Sequence, residues 1–280
     1  MPAFLLCTDL DRTLLPNGQP PECAEARCLI RRLASRDDVH LTYVTGRDRG
    51  LVNEAIDQYE LPIPDWLIAD VGSSLYRVTA GRWERSADWD ALLEACWHGW
   101  NRNDITACLV DIAELTLQQP AKQGPYKLSY YYVSGAPAEM LRQKIQNRFH
   151  AAGIAANLIF STDEEACVGL LDILPAAADK LCALRFLIER NDYSCQYSIF
   201  AGDSGNDLEI FASDIPSVIV ANAREDVIRQ ARQSALQAGT MAQLYLAKGG
   251  FLGMNGNYGA GLLEGLAHFH PQLISDLSLQ

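Results

Sequence analysis

The stretch FLLCTDLDRTLL, residues 4–15, decides how this chain is read. Its apolar run has the length and composition of a buried strand, yet it ends in Asp9, and a second carboxylate, Asp11, follows two residues later. A carboxylate at the end of a buried strand needs a cation, a proton or a dense set of hydrogen bonds to offset its lost hydration. The stretch therefore predicts a site that gathers positive charge around Asp9.

Bulk properties narrow what that site can be. At 280 residues, 49% of them hydrophobic, the chain has the length of two domains and ample apolar content for a core. Thirty-five acidic residues against 23 basic ones give a net charge of −12, which opposes a polyanionic partner, so no nucleic acid is expected. An anionic substrate must then be met by local positive charge. The eight cysteines (Cys7, Cys23, Cys28, Cys96, Cys108, Cys167, Cys182, Cys195) have neither CxxC pairs nor the histidine spacing of a zinc site, and they do not form a disulfide framework at this length. No basic segment leads into an apolar h-region, and no apolar run approaches the ~20 residues of a membrane span; a cytoplasmic protein without membrane contact is expected.

Periodicity predicts a strand over 3–8, a helix over 21–34, a strand over 40–44, a helix over 53–59 and a strand over 66–69, which is a parallel sheet with crossover helices. VGSSLYRV and TAGRWER predict a hairpin. From about residue 82 the rhythm changes to helices over 89–101 and 104–114, a strand in KLSYYYV, a helix over 137–152 and a strand in AANLIFS. A strand over 170–174 and a helix over 179–189 then resume the alternation, followed by a strand over 197–201, a helix over 206–211, a strand in SVIVAN and helices over 224–235 and 262–269. Residues 115–125 and the glycine-rich 247–261 read as irregular; the latter lacks the strand-before, helix-after context of a dinucleotide fingerprint. The expected fold is α/β: a doubly wound parallel-sheet core formed by 1–80 and 170–280, with a smaller α+β domain, 81–169, inserted.

In such sheets ligands collect at the carboxyl ends of the strands. The first predicted strand ends in Asp9 and Asp11, the second in Thr45-Gly46-Arg47, and a later one in GDSGND with Asp203 and Asp207; Lys180 opens the helix before it. Four carboxylates at one edge repel one another unless a divalent cation neutralises them, and hard oxygen ligands favour Mg²⁺. Thr45 offers a hydroxyl and neighbouring N–H groups to a phosphoryl oxygen, and Lys180 a compact positive charge. The set suits phosphoryl transfer to a carboxylate nucleophile, with a second carboxyl to protonate the leaving oxygen. An isolated DxD is more often a surface turn or helix cap than a catalytic motif; the ordered company of TGR and GDSGND gives this one its weight. Elsewhere, Lys127 in PYKLSYYY reads either as an exposed strand lysine or as a substrate contact, the run Tyr130-Tyr131-Tyr132 as packing, Arg47 as a residue at the mouth of the site, and His98, His150 and His268 as structural.

DLDRTLL resembles the DxDx(T/V) motif of the haloacid dehalogenase superfamily of phosphatases, VTGR its second motif, Lys180 its third and GDSGND its fourth. An insert after the third strand is the arrangement of the C2-capped subgroup. Within it the chain is most similar to sucrose-phosphate phosphatases, through TGR, VGSSLY, PYKLSYYY, GDSGND, VIVANA and GLLEGLAHF. The resemblance implies Asp9 as nucleophile, Asp11 as general acid and base, Thr45 as phosphoryl holder and Lys180 as the charge between them. It implies Mg²⁺ held by Asp9, the backbone carbonyl of Asp11 and Asp203, with Asp207 in support. It also implies a phosphoryl contact from Thr45, with Asn206 and Ser204 in support; Gly46 and Arg47 beside Thr45, and Lys127 in the insert, complete the expected substrate contacts by their place in the sequence. The expected substrate is a small-molecule sugar phosphate, sucrose 6-phosphate or a related disaccharide or glycosyl phosphate, with association with a cognate glycosyl-phosphate synthase. A phosphomannomutase-like phosphotransferase and a noncatalytic regulatory protein of the same fold are the alternatives. Two departures stand out: Arg12 occupies a position that is more often Asn or Gly in the family, and the return over 161–174, STDEEACVGLLDIL, is longer and more acidic.

Overall fold

The computed structural model describes residues 3–97, 99–132, 138–163 and 168–275, so His98 and the centre of the acidic return, 164–167, lie outside the described residues. In chain order the elements are β1 (Phe4–Thr8), α1 (Ala24–Ala34), β2 (Val39–Val44), α2 (Arg49–Tyr59), β3 (Trp66–Ala69), β4 (Ser74–Thr79), β5 (Arg82–Arg85), α3 (Ala87–Cys96), α4 (Arg102–Leu109), β6 (Leu115–Leu117), β7 (Leu128–Tyr132), α5 (Ala138–Ala152), β8 (Ala156–Asp163) and β9 (Val168–Pro175). They continue with α6 (Lys180–Arg190), β10 (Ser198–Gly202), α7 (Leu208–Phe211), β11 (Ser217–Ile219), α8 (Glu225–Ala238), β12 (Leu244–Leu246) and α9 (Gly259–Phe269).

Eight strands form one sheet in the order β12-β11-β10-β1-β2-β3-β4-β5, parallel from β12 to β3 and antiparallel at the β4–β5 edge. The period-2 alternation of side chains explains why β1 carries no polar face. Phe4 and Leu6 pack into one cluster with Ile30, Leu41 and Leu263, while Leu5 and Cys7 pack into the opposite one with Leu184, Phe200 and Ile210. Both faces are covered by helices, as a parallel sheet requires. The chain proceeds from β1 outward to β2 and β3, then returns to fill the other side with β10, β11 and β12. The order thus reverses beside β1, and the crevice at that switch point is where such sheets bind ligands.

The second sheet, β6-β7-β9-β8, is antiparallel throughout. Helices α4 and α5 cover it with Ile105, Leu109, Leu141, Ile145 and Phe149, which meet Leu128, Tyr130, Tyr132, Leu171 and Ile173. Tyr130 and Tyr132 are therefore packing residues, as the sequence suggested. Gly169 lies opposite Tyr132 in the β7–β9 register, and a Cβ there would come within 2.3 Å of the tyrosine ring.

Several sequence expectations shift. Strand β5 belongs to the eight-stranded sheet and β9 to the four-stranded one through Pro175, so the chain changes sheets beyond residues 81 and 170. Helix α3 also packs on the large sheet, through Trp89 and Leu93, and Trp89 Nε1 donates to Gly72 O at 3.0 Å. The helix expected over 89–101 stops at Cys96, and α4 ends at Leu109, short of residue 114. Residues 115–125 contain β6, which borrows its hydrogen bonds from β7 rather than advertising itself by pattern. The glycine-rich stretch ends inside α9, which begins at Gly259, three residues before the expected start; further along the helix a Cβ at Gly265 would lie 2.6 Å from Val218, so this glycine lets the helix lie against β11.

Candidate active site

Four polypeptide exits converge at the carboxyl edge of the large sheet. Asp9 leaves β1 and is 4% exposed; its N–H donates to Ala201 O in neighbouring β10, and its Oδ1 accepts from Leu10 N at 2.7 Å. The following loop is pinned by buried Leu10, Leu14 and Leu15, with the amides of residues 13, 14 and 15 all donating to Leu10 O. Strand β10 delivers Asp203 beside Asp9. Gly202 precedes it because a Cβ would approach Asp207 Oδ2 to 2.6 Å. Asp207 is fully buried, and its Oδ2 accepts from Ser204 N at 3.1 Å and Ser204 Oγ at 3.2 Å.

Lys180, the first residue of α6, reaches into this group. Asp179 caps the helix by accepting from Cys182 N at 2.7 Å, which fixes where Lys180 emerges. Its Nζ donates to Asp207 Oδ1 at 2.7 Å and Asn206 Oδ1 at 2.9 Å, and lies 3.2 Å from Asp9 Oδ2. Burial drives the Asp9 carboxyl well above the ordinary carboxylate range; Lys180 opposes the shift, while Asp207, Asp203 and Asp11 add to it. Burial and then Asp207 push Asp203 up to about 7. Burial alone would lower Lys180, but Asp207 and Asp9 more than compensate and hold it above the ordinary lysine range.

Carboxylate oxygens of Asp9, Asp203 and Asp207 lie within 4.8 Å of one another. Three buried carboxylates with hard oxygen donors, incompletely balanced by Lys180, match what Mg²⁺ requires. Asp207 is already committed to Lys180 and Ser204, which leaves Asp9 and Asp203 as the carboxylates best able to hold an ion. Asp11 stands apart. Its carboxylate is 41% exposed and takes a two-pronged ion pair from Arg47, Nη2 to Oδ1 at 2.6 Å and Nε to Oδ2 at 2.8 Å, while Asn17 Nδ2 donates to the same Oδ1 at 2.6 Å. The carboxylate does not join the other three, so only its backbone carbonyl is left for the metal contact expected of it.

Thr45 is fully buried at the end of β2; its N–H donates to Ile68 O, and its Oγ1 accepts from Arg47 N at 3.2 Å. Gly46, exposed, bridges it to Arg47. Lys127 lies just before β7 and is buried, with Nζ donating to Asp70 Oδ1 at 2.8 Å. Burial alone would lower it, but Asp70 and Asp172 hold its ammonium above the ordinary lysine range. Asp70 ties the two sheets together. It and Val71 adopt left-handed φ of 51° and 58°, and their amides donate to Arg47 O and Thr45 O. Gly72, at φ 97°, completes the turn, where a Cβ would strike Asp179 O at 2.2 Å. A left-handed β-branched residue is strained, and strain of this kind persists where surrounding contacts over-determine it.

Sequence reasoning missed Asp70, Asn17, Thr13 and Asn222. Asp70, Thr13 and Asn222 act through Lys127, Asp203 and Arg12, partners distant in the chain, and Asn17 through Asp11 and Arg12 within its own loop.

The Sucrose-6F-phosphate phosphohydrolase family model matches residues 2–270. A putative HAD-like hydrolase of Nitrosococcus oceani is 48% identical over 96% of this chain and 72% of its own length. Sucrose-phosphatase 2 of Nicotiana tabacum is 31% identical over 81% of this chain, which spans only 52% of that relative; mannosylfructose-phosphate phosphatase of Agrobacterium fabrum is 31% identical over 83% and 88%. Among solved structures, the sucrose-phosphatase of Synechocystis sp. PCC6803 in complex with sucrose and phosphate aligns with a TM-score of 0.77 at 25% identity, covering 96% of this chain and 98% of that one.

Proposed function

The chain belongs to the sucrose-6F-phosphate phosphohydrolase family of haloacid-dehalogenase-type phosphatases, and from that premise we propose that it hydrolyses a disaccharide phosphate, sucrose 6-phosphate or a close relative, in a Mg²⁺-dependent reaction. The observation that carries the reading is the cluster of Asp9, Asp203 and Asp207 around buried Lys180.

Asp9 attacks phosphorus, forming an aspartyl-phosphate as the bond from phosphorus to the sugar oxygen breaks. Lys180, fixed by Asp207 and Asn206, faces the Asp9 oxygen and stays charged. Thr45 Oγ1 and the adjacent backbone N–H groups hold a phosphoryl oxygen. Asp11 gives the leaving sugar oxygen its proton, then accepts one from the water that attacks phosphorus and frees Asp9. To do so Asp11 must part from Arg47, whose guanidinium then turns to the dianionic phosphate, which offers two oxygens to the same two-pronged donor. Asp9, Asp203 and the Asp11 carbonyl would hold Mg²⁺, which when bound supplies charge neutralisation at the transferring phosphoryl group.

The four-stranded sheet with α4 and α5 acts as a cap in this reading, and the ion pair of Lys127 with Asp70 fastens it over the core. With one donor spent on Asp70, Lys127 keeps two for sugar hydroxyls. A substrate of this kind is made by a glycosyltransferase acting on a sugar phosphate, and association with that synthase belongs to the same proposal. The test is phosphate release over sucrose 6-phosphate, mannosylfructose phosphate, glucosylglycerol phosphate, hexose monophosphates and p-nitrophenyl phosphate, with Mg²⁺ or excess EDTA. A disaccharide phosphate is expected to lead the hexose monophosphates by about a hundredfold in kcat/KM, since recognition of a second ring contributes several hydrogen bonds. Hexose phosphate interconversion without phosphate release would identify a mutase instead.

A further inference from the structure

Arg12 sits at φ 57°, in the left-handed region that favours Asn and Gly and costs other residues roughly 1 kcal/mol. Both ends of the residue are held there: its N–H donates to Asn17 Oδ1 at 2.7 Å, and its carbonyl accepts from Asn222 Nδ2 at 2.6 Å. An arginine in a conformation suited to glycine must contribute through its side chain. That side chain turns inward, with Nε 3.3 Å from Asp203 Oδ2 and without a hydrogen bond of good geometry. The other Asp203 oxygen accepts from Thr13 Oγ1 at 3.3 Å. Both oxygens of Asp203 are thus engaged by this chain's own residues, one of them by a cation, and a metal ion approaching Oδ2 meets a like charge.

We propose that Arg12 is a built-in competitor for the metal site: its guanidinium and Mg²⁺ exchange at Asp203, so that the ion binds only by displacing Arg12 toward the mouth of the site. The Arg12 side chain is 36% exposed, so it borders solvent and has water to move into. The inference rests on the assignment of Mg²⁺ to Asp9 and Asp203 made above. It identifies metal affinity, rather than chemistry, as what the arginine changes relative to Asn or Gly at this position.

Calorimetric titration of Mg²⁺ into the substrate-free protein tests it, with Arg12→Asn, Arg12→Gly, Arg12→Lys and Asp203→Asn alongside wild type. Asn and Gly both suit the backbone at this position, so folding is retained, which thermal unfolding in EDTA verifies. Arg12→Asn and Arg12→Gly are expected to bind Mg²⁺ at least about fivefold tighter than wild type, Arg12→Lys close to wild type, and Asp203→Asn not measurably, in line with removal of one nearby like charge. Binding that Asp203→Asn abolishes but that Arg12→Asn and Arg12→Gly leave unchanged or weaken overturns the inference alone. Absence of Mg²⁺ binding in every protein overturns it together with the metal assignment.

Discussion

Replacing Lys180 by methionine removes the one buried cation from the centre of the carboxylate cluster while keeping most of its volume. In the structure the Lys180 side chain is 1% exposed, that of Asp9 6% and that of Asp207 not at all, so its loss strands two carboxylates that water scarcely reaches. Removing one partner of a buried ion pair costs about 3–5 kcal/mol. Asp207 retains its bonds from Ser204 and Asp9 its bond from Leu10, which argues for the lower end, about 3 kcal/mol. At roughly 2–4 °C per kcal/mol for a chain of this size, Tm in EDTA should fall by about 6–12 °C at pH 8. The loss should shrink at pH 6. Asp9 already sits above the ordinary carboxylate range in the folded protein, and without Lys180 it rises further. The folded state then keeps a proton that the unfolded chain has released, so stability is greatest at low pH and falls as pH rises toward the folded value. Adding Asp207→Asn to Lys180→Met should recover at least about 1 kcal/mol, a coupling typical of residues in one network. Thermal unfolding of the single and double variants at both pH values measures all of this. A Tm loss below about 2 °C, or strictly additive variants, would refute the claim that Lys180 neutralises Asp9 and Asp207.

Three further outcomes are expected. Asp11→Asn should depress hydrolysis of sugar phosphates far more than that of p-nitrophenyl phosphate, whose leaving group needs no proton; equal losses measured by phosphate release would exclude an acid role for Asp11. Lys127→Ala should raise KM for the disaccharide phosphate at least about tenfold, or ~1.4 kcal/mol, and leave p-nitrophenyl phosphate nearly unchanged, whereas Asp70→Asn, which breaks the same ion pair but keeps the lysine, should raise it less. Stabilisation by Mg²⁺, read as the rise in Tm, should grow between pH 5 and pH 8. Asp203 holds its proton up to about 7, and the ion must displace it below that value; a flat profile would count against Asp203 as a ligand.

The parallel core was legible because β1, β2, β3 and β10 are short, largely apolar runs of strand length, each followed by the polar residues that a strand end needs. The ordering of DLDRT, VTGR, Lys180 and GDSGND told which strand ends meet, and Asp9, Lys180, Asp203 and Asp207 do meet. Strands β6 and β12, three residues each, carry too little pattern to find, and Gly259 and Gly261 hid the first turn of α9, whose remainder over 262–269 was legible. What the sequence could not convey is pairing at a distance. Asp11 turning to Arg47, Lys127 to Asp70 and Arg12 to Asp203 are choices among charged groups that only the folded arrangement decides. The left-handed φ at Arg12 likewise suits the Asn or Gly that the family resemblance leads one to expect there, a fit invisible in composition or periodicity.

The central claim is that Asp9 carries the phosphoryl group between the sugar and water. The most direct measurement quenches the protein in steady-state turnover of its best sugar phosphate, reduces acyl phosphates with borohydride, and sequences the peptide spanning residues 4–15 by mass spectrometry. Conversion of Asp9, and not of Asp11, to homoserine is the predicted result, lost in Asp9→Asn together with turnover. Reduction at Asp11 or elsewhere, or Asp9→Asn turnover within about tenfold of wild type, would contradict the account.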